Sequence, residues 1–282
     1  AEILIDTPTL RESGRSYALP VQTLSSLQDY DPQTAFVTAA VQQLYARYNL
    51  DSGLKISTAG PRVSFGLGSS SAVTVATVFA LAHLFDLKLE KQDIFDLAYA
   101  AVLAVQKVGS GFDVASAVYG GTIYYQSGTS QPLPPVDYPL VIGYSGEKVS
   151  TTNLVKQVAA LYERYPAVVA PVFQAMGQIS AQAREALLAQ NWEKMGELMN
   201  LQQGLLNSLG VSTLGLEELI DAARAQGAYG AKLSGAGGGD CMYALVDTSR
   251  RKAVEDALLA AGGTVVPIQA DVEGARIDLY GL

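Results

Sequence analysis

The chain has 282 residues, of which 49% are hydrophobic and 16% charged, and its formal net charge is -8. This length and apolar content allow a substantial core, which excludes a disordered or fibrous protein. Lysines and arginines form no run longer than the three residues 250–252, so neither a nucleic acid nor an anionic membrane surface is expected as a partner.

The scarce residue types narrow the choice further. The single cysteine, Cys241, excludes an internal disulfide framework and is predicted to be a small buried residue rather than a nucleophile. The single histidine, His83, lies in an apolar run that favours a core or surface role. No apolar stretch reaches the roughly 20 residues of a membrane span, and no signal peptide is recognisable. We therefore expect a cytoplasmic globular protein.

In chain order, apolar periodicity predicts alternating strands and helices in the first half. The predicted elements are a strand at 1–6, a helix at 31–48, a strand at 54–58, helices at 71–84 and 89–106, a short helix before Gly120, and a strand at 122–126. The next segment, 127–139, is rich in Ser, Pro and Gly and is the best hinge candidate.

The second half is richer in helix. The predicted elements are a strand at 140–145, helices at 151–162, 166–190, 192–208 and 214–226, strands at 229–234 and 241–246, a helix at 249–261 and a strand at 263–269. The closing helix-strand-strand-helix-strand order predicts a small open sheet covered by helices. We expect two domains, at 1–138 and 139–282.

The first of three glycine-containing loops is FGLGSSS, residues 65–71, directly before a predicted helix. Glycines let the backbone approach a ligand, and the free amides of a helix N-terminus bind anions. Serine hydroxyls add donors or ligate Mg²⁺. A phosphate-binding loop and a plain capped turn are both open interpretations. A Walker A loop is excluded, because no Gly-Lys-Ser or Gly-Lys-Thr follows the glycines.

The second loop belongs to KVGSGFDVASAVYGG, residues 107–121, and places Asp113 three residues after Ser110. This spacing by itself favours a capping box, in which the carboxylate only supports the helix start. The functional interpretation is a carboxylate held among glycines, where it orients a hydroxyl or takes its proton.

The third loop is KLSGAGGGDC, residues 232–241, between two predicted strands that a two-residue turn would connect. Successive amides in such a loop form a nest that binds anions. The alternative is a permissive hairpin with a bulge, which is less attractive because ordering so many glycines costs conformational entropy.

Taken together and in this order, the three loops resemble those of the GHMP superfamily of small-molecule kinases. FGLGSSSAVTVAT is similar to the phosphate-binding motif of that superfamily, and AKLSGAGGGDC is similar to its third motif. The resemblance implies an α+β, two-domain fold, with a ribosomal protein S5 domain 2-like N-terminal domain and a ferredoxin-like C-terminal domain.

Within the superfamily, KVGSGFDVASAVYGG and the Asp-Cys ending of the third loop look like phosphomevalonate kinases. Mevalonate kinases usually carry a histidine before the aspartate and a magnesium-binding glutamate on the preceding helix, whereas residues 99–107 contain neither a histidine nor a carboxylate. On the other side, LLNSLGVSTLGLEEL and GAYGAKLSGAGGG look as much like mevalonate kinases.

The resemblance therefore implies transfer of the γ-phosphoryl group of ATP, with Mg²⁺, to 5-phosphomevalonate. The alternatives are a mevalonate kinase, a related decarboxylase of the same pathway, and a non-catalytic ligand-binding relative. The expected partners are these small molecules, and the expected state is a monomer or a homodimer. The family's first motif, a Pro-Gly-Lys segment, is not present in the chain, and we expect it to precede Ala1.

The resemblance also implies roles for individual residues. Asp113 is the expected catalytic residue and Ser70 the expected magnesium ligand. The ATP phosphates are assigned to Gly66, Leu67, Gly68, Ser69, Ser70 and Ser71. The acceptor is assigned to Arg62, Lys107, Ser110, Gly235, Ala236 and Gly237. A lysine common before the first loop in phosphomevalonate kinases is replaced by Ser64, and Arg62 is the nearby cation in this interpretation.

Overall fold

A computed structural model describes residues 1–60, 65–147 and 151–278, which form two compact units. Unit 1 contains 1–60, Gly68–Leu133 and 271–278 of these residues, and unit 2 contains Phe65–Leu67, 134–147 and 151–270. The main change of unit thus falls at Leu133 and Pro134, a few residues before the boundary expected from the sequence. Two short segments are exceptions: Phe65–Leu67 of the first glycine loop belongs to unit 2, and residues 271–278 belong to unit 1.

Unit 1 combines a three-stranded sheet, a hairpin and several helices. Its elements are β1 (Glu2–Asp6), α1 (Pro8–Ser13), β2 (Tyr17–Pro20), α2 (Ala35–Tyr48), β3 (Leu54–Ser57), α3 (Ser69–Leu84), α4 (Lys91–Gln106), α5 (Phe112–Tyr119), β4 (Ile123–Gln126) and β5 (Thr129–Pro132). In the sheet, β1 pairs antiparallel with β2 and parallel with β3.

The core of unit 1 lies where α2, α3, α4 and α5 pack together. Helix α3 is apolar nearly all round, and its Val75, Val78 and Leu81 are buried. Such a helix is stable only when other elements cover it. The start of α3 is consequently held at a defined place by the packing of its whole length.

Unit 2 is built on a four-stranded antiparallel sheet in the order β7-β8-β6-β9. Its elements are β6 (Leu140–Tyr144), α6 (Thr151–Arg164), α7 (Pro166–Leu188), α8 (Trp192–Ser208), α9 (Leu214–Ala225), β7 (Gly230–Leu233), β8 (Cys241–Leu245), α10 (Arg251–Ala260) and β9 (Thr264–Val266). This is the ferredoxin-like strand order with additional helices after the first strand. The predicted fold class is confirmed.

Helix α8 approaches β7 without intervening side chains. A Cβ at Gly196 would lie 2.2 Å from the carbonyl carbon of Tyr229, and a Cβ at Gly230 would lie 2.1 Å from the carbonyl oxygen of Gly196. Nearby, the buried side chain of Gln203 accepts a hydrogen bond from the amide of Leu233 at 2.9 Å and donates to Glu217 at 2.8 Å. These contacts hold β7, which leads into the third glycine loop.

The structure differs from the predicted elements mainly around short strands. The predicted hinge at 127–139 contains β5, which forms a hairpin with β4 through Ser127 and Gly128, both at positive φ. Helix α1 and strand β2 were also not predicted. All three are four to six residues long, too short for hydrophobic periodicity to be recognisable.

None of the described helices combines the length and the apolar character needed to cross a membrane.

Candidate active site

The first glycine loop leads directly into α3. Gly66 and Gly68 have φ of +71° and +79°, a backbone region that favours glycine. Helix α3 begins at Ser69, two residues before the predicted start, with Gly68 as its N-cap. Since glycine has no side chain, the N-cap cannot satisfy the first amides of the helix, and the capped-turn interpretation does not apply. The positive end of the helix dipole therefore lies at this loop, as the phosphate-binding interpretation requires.

The three serines of this loop lie in different environments. Ser69 is exposed and Ser70 is half-buried. Ser71 is fully buried, and its hydroxyl donates a hydrogen bond to Oδ2 of Asp113 at 2.5 Å. The hydroxyl of Ser71 is therefore engaged with Asp113, and its assignment to phosphate remains a prediction for its backbone amide.

Asp113 lies in the first turn of α5, whose N-cap is Gly111 at φ +87°. The capping-box interpretation is wrong, because the helix begins at Phe112 and no side chain caps it. The carboxylate instead accepts from Ser71 through Oδ2 and from its neighbour Val114 N–H through Oδ1, at 3.0 Å. A Cβ at Gly68 would be 3.5 Å from the Cβ of Asp113, so the first and second loops meet in unit 1.

Two tyrosines that the sequence did not single out hold the loop before Asp113. The hydroxyl of Tyr99 donates to the carbonyl of Gly109 at 2.7 Å, and that of Tyr125 donates to the carbonyl of Ser110 at 2.5 Å. Burial raises the pKa of Tyr125, and the nearby charge of Asp113 acts in the same direction. Tyr125 therefore stays protonated and remains a hydrogen-bond donor. Hydrogen bonds to loop carbonyls leave no pattern in a sequence.

The same tyrosines explain why Gly111 is glycine. A Cβ at this position would be 2.9 Å from the hydroxyl oxygen of Tyr125 and 3.1 Å from the ring of Tyr99. The loop also contains the predicted acceptor-binding residues Lys107 and Ser110, both exposed. The ammonium group of Lys107 donates to the carbonyl of Ala104 at 2.7 Å. Arg62, the third predicted cationic or polar contact, lies outside the described residues.

The third loop is held in unit 2 by two other segments. The amide of Gly238 donates to the carbonyl of Val211 at 2.7 Å, and the amide of Asp240 donates to the carbonyl of Glu147 at 2.7 Å. A Cβ at Gly237 would be 2.2 Å from the carbonyl oxygen of Val211. The glycines are thus required for close packing and for positive φ, and the loop is not a free hairpin.

The first and third loops also meet, within unit 2. The thiol of Cys241 donates to the carbonyl of Phe65 at 3.1 Å, and the rings of Phe65 and Tyr144 pack edge to face at 5.4 Å. As predicted, Cys241 is buried. Burial, and secondarily the charge of Asp240, raises the pKa of the Cys241 thiol to about 12. The thiol stays protonated, which makes it unsuitable as a nucleophile.

The hydrogen bond between Ser71 and Asp113 yields a testable prediction. If Asp113 is the catalytic carboxylate that the sequence predicts, we expect Ser71→Ala to lower kcat by roughly tenfold to a hundredfold, because Asp113 loses one of its two hydrogen bonds. The measurement is steady-state kinetics of the purified variant. Thr77→Val is the matched control, since Thr77 is also buried in α3 and its hydroxyl bonds only its own helix, at Val73. Equal kcat values for the two variants would contradict the positioning role of Ser71.

Comparisons with known proteins show which family the chain belongs to. The family domain described as "GHMP kinases N terminal domain" matches residues 35–121, and "GHMP kinases C terminal" matches residues 183–264. The mevalonate kinase of Pyrococcus abyssi is 41% identical over 86% of this chain and 74% of that protein. The mevalonate kinase of Thermococcus sibiricus is 36% identical over 98% of this chain and 85% of that protein.

Solved structures with the same fold include three that span nearly all of the chain. The Lin0012 protein from Listeria innocua has a TM-score of 0.84 at 23% identity, covering 95% of this chain and 85% of that one. The Methanococcus jannaschii mevalonate kinase has a TM-score of 0.77 at 24% identity, covering 94% and 83%. The Streptococcus pneumoniae phosphomevalonate kinase in complex with phosphomevalonate and AMPPNP has a TM-score of 0.73 at 20% identity, covering 94% and 86%. At these identities the likeness shows the fold alone.

Proposed function

The chain belongs to the GHMP kinase family, and from this premise we propose that it transfers the γ-phosphoryl group of ATP to the 5-hydroxyl of mevalonate. The observation that carries the phosphotransfer is the bond between Ser71 and Asp113, which fastens a carboxylate to the helix of the first loop. The acceptor is supported by relatives named mevalonate kinase, at 41% and 36% identity. These relatives favour mevalonate over the phosphomevalonate that the sequence motifs had suggested.

The first loop would hold the ATP phosphates. Gly66 and Gly68, both at positive φ, leave the backbone accessible, and the first turn of α3, which begins at Ser69, carries the positive end of the helix dipole. Phosphoryl transfer depends mainly on positioning and on stabilising charge, and preorganised amides supply both. Leu67, between the two glycines, contributes its amide in the same interpretation.

Magnesium fits this donor set, because serine hydroxyls and phosphate oxygens are the hard ligands that it prefers. Within the described part of the chain, no group of three or more His, Cys, Asp or Glu side chains could hold a metal ion by itself. The cation would therefore be shared with the nucleotide, and Ser70 is the loop hydroxyl proposed to contact it. When bound, Mg²⁺ would neutralise charge on the phosphates during transfer.

Asp113 would act on the acceptor. Its carboxylate would orient the 5-hydroxyl and take its proton as the hydroxyl oxygen bonds to the γ-phosphorus and ADP leaves. Hydrogen bonds from Ser71 and Val114 hold the carboxylate in one orientation. The hydroxyls of Tyr99 and Tyr125 donate hydrogen bonds to carbonyls of the preceding loop, which fixes the chain on the N-terminal side of Asp113.

The remaining predicted residues would bind the acceptor or close the site. Lys107 and Ser110, exposed in the loop before Asp113, are the proposed contacts for the carboxylate or hydroxyls of the acceptor. Gly235, Ala236 and Gly237 belong to the third loop, whose glycines have the positive φ needed to present amides to a ligand. Arg62 remains a prediction from the sequence.

Phosphomevalonate is a second candidate acceptor because of two features. Residues 99–107, the end of α4 and its C-cap, contain no histidine and no carboxylate, and the third loop ends in Asp240 and Cys241. These features resemble phosphomevalonate kinases. An acceptor phosphate is largely ionised near neutral pH, so Asp113 would then orient it rather than take a proton.

The decisive experiment is incubation of the purified protein with Mg-ATP and either mevalonate or 5-phosphomevalonate, while ADP and carbon dioxide are followed. We expect ADP with mevalonate and no carbon dioxide. ADP only with phosphomevalonate would replace the acceptor by the second candidate. Release of carbon dioxide would indicate a decarboxylase, and no ADP with any acceptor would indicate a ligand-binding relative.

A further inference from the structure

We propose that Asp240 is a ligand of the divalent cation that accompanies the nucleotide at the first loop. The proposal rests on the proposed use of ATP and adds a residue to it from the third loop. In the sequence, Asp240 was noted only as part of the Asp-Cys ending of the third loop, and no role was assigned to it. Two features of Asp240 support the proposal, its contact with Gly66 and a buried carboxylate oxygen without a hydrogen-bond partner, and its backbone conformation is compatible with it.

The carboxylate of Asp240 lies against the main chain of Gly66. A Cβ at Gly66 would be 2.2 Å from the carboxyl carbon of Asp240, and 2.4 and 2.5 Å from its two oxygens. Gly66 is one of the two left-handed glycines of the first loop. The contact therefore puts a carboxylate beside the first glycine of the loop that is proposed to hold the ATP phosphates.

The backbone of Asp240 is in a conformation that residues with a Cβ rarely adopt. It has φ +58° and follows three glycines, Gly237, Gly238 and Gly239, that all have positive φ. A fourth glycine would adopt this conformation more easily. Aspartate tolerates this region better than most residues with a Cβ, and other residues such as Asp86 adopt it too, so the conformation is compatible with a ligand role without requiring one. Here the side chain in question is a carboxylate.

One carboxylate oxygen of Asp240 also lacks a hydrogen-bond partner in the part of the chain that the structure describes. Oδ1 of Asp240 is buried without a hydrogen bond, and no Lys or Arg of the described residues forms an ion pair with the side chain. A buried carboxylate oxygen is unfavourable unless a cation or a donor compensates for it. Beside bound phosphates the repulsion would increase further.

A divalent cation resolves both conflicts. Mg²⁺ is commonly held by one or two carboxylates together with substrate phosphates and water, rather than by a complete protein cage. One carboxylate at Gly66 fits this arrangement. The alternative is that the carboxylate only packs against Gly66 and shapes the loop. The two differ in how magnesium affects nucleotide binding.

The test is calorimetric binding of AMPPNP to the full chain, with Mg²⁺ and with EDTA, for the original protein and for Asp240→Asn. Asparagine retains the size and tolerates positive φ, so only the charge is lost. We expect magnesium to increase the affinity of the original protein by about tenfold or more and that of the variant by about twofold or less. Affinity for metal-free AMPPNP is expected to stay the same or rise, because a repulsive charge is gone.

Two further variants keep the test decisive. Asp240→Gly removes the carboxylate and relieves the positive φ, and it should lose the same magnesium effect even if asparagine disturbs the loop. Asp86→Asn is the matched control, since Asp86 also has positive φ but is exposed beyond the C-terminal end of α3, roughly 25 Å along the helix from the loop. Mn²⁺ titration of the protein–AMPPNP complex by electron paramagnetic resonance should show about tenfold weaker Mn²⁺ binding in both Asp240 variants. In the control variant, Mn²⁺ binding should be unchanged.

An unchanged magnesium effect in Asp240→Asn would overturn the inference, and so would equal losses of affinity for metal-free and magnesium-bound AMPPNP, which would indicate a role in loop shape. Normal metal-dependent binding without phosphorylation of either acceptor would overturn the proposed function alone. A protein that binds no nucleotide would overturn both.

Discussion

Asp113→Asn is expected to lower kcat by roughly a thousandfold while the protein remains folded. Asparagine has the same shape, and its carbonyl oxygen still accepts the bond from the amide of Val114. It can neither take the proton of an acceptor hydroxyl nor provide the negative charge that Ser71 donates to in the original protein. The effect should therefore appear in turnover, with little change in the affinity for ATP.

The measurement is single-turnover kinetics together with thermal unfolding of the same preparation. Asp96→Asn is a suitable control, because Asp96 is an exposed carboxylate on α4 of the same unit whose side chain accepts a hydrogen bond from Gln92 of its own helix. Near-normal turnover in Asp113→Asn would show that the carboxylate serves only the fold of the loop. A fall in unfolding temperature that accounts for the lost activity would lead to the same conclusion.

Gly196→Ala is expected to lower the free energy of unfolding by roughly 2 to 4 kcal/mol. The added methyl group would lie 2.2 Å from the carbonyl carbon and oxygen of Tyr229, which are backbone atoms and cannot rotate away. Helix α8 would have to move away from β7, and this movement would disrupt the hydrogen bond from the amide of Leu233 to Gln203. The free energy of unfolding from denaturant titration is the quantity to measure.

The same substitution at Gly204, further along α8, provides the control. A Cβ at Gly204 would meet no described atom within 4 Å, and alanine is the better helix former. We expect Gly204→Ala to stabilise the protein by up to about 1 kcal/mol. Opposite signs for two identical substitutions in one helix would separate close packing from helix propensity. Equal free energies of unfolding would contradict the close contact between α8 and β7.

The long elements were predictable because their patterns are local. Helix α8 was predicted at its observed bounds, 192–208, and the sheet of unit 2 has the ferredoxin-like order that the resemblance implied. The hairpin of β4 and β5 was missed because TSQP has no strand-like composition and is held by its partner strand. Such short strands depend on pairing between segments and not on their own propensity.

The candidate site divides in the same way. The glycines of all three loops stood out, because a positive φ and close backbone packing both require glycine at particular positions. The partner of Ser71 did not, since a bond between residues 42 apart has no local signature. The spacing of Ser110 and Asp113 even favoured a capping box, which the observed start of α5 at Phe112 excludes.

Composition and motifs alone were therefore sufficient to identify a GHMP kinase, its two kinds of domain and the loops that would bind phosphate. The tertiary structure decided which groups contact these loops: Ser71 contacts Asp113, Tyr125 contacts the carbonyl of Ser110, and Asp240 contacts the backbone of Gly66. The physical reason is range. Backbone conformation and helix formation depend on neighbours within a few residues, whereas the position of a carboxylate depends on packing between segments far apart in the chain.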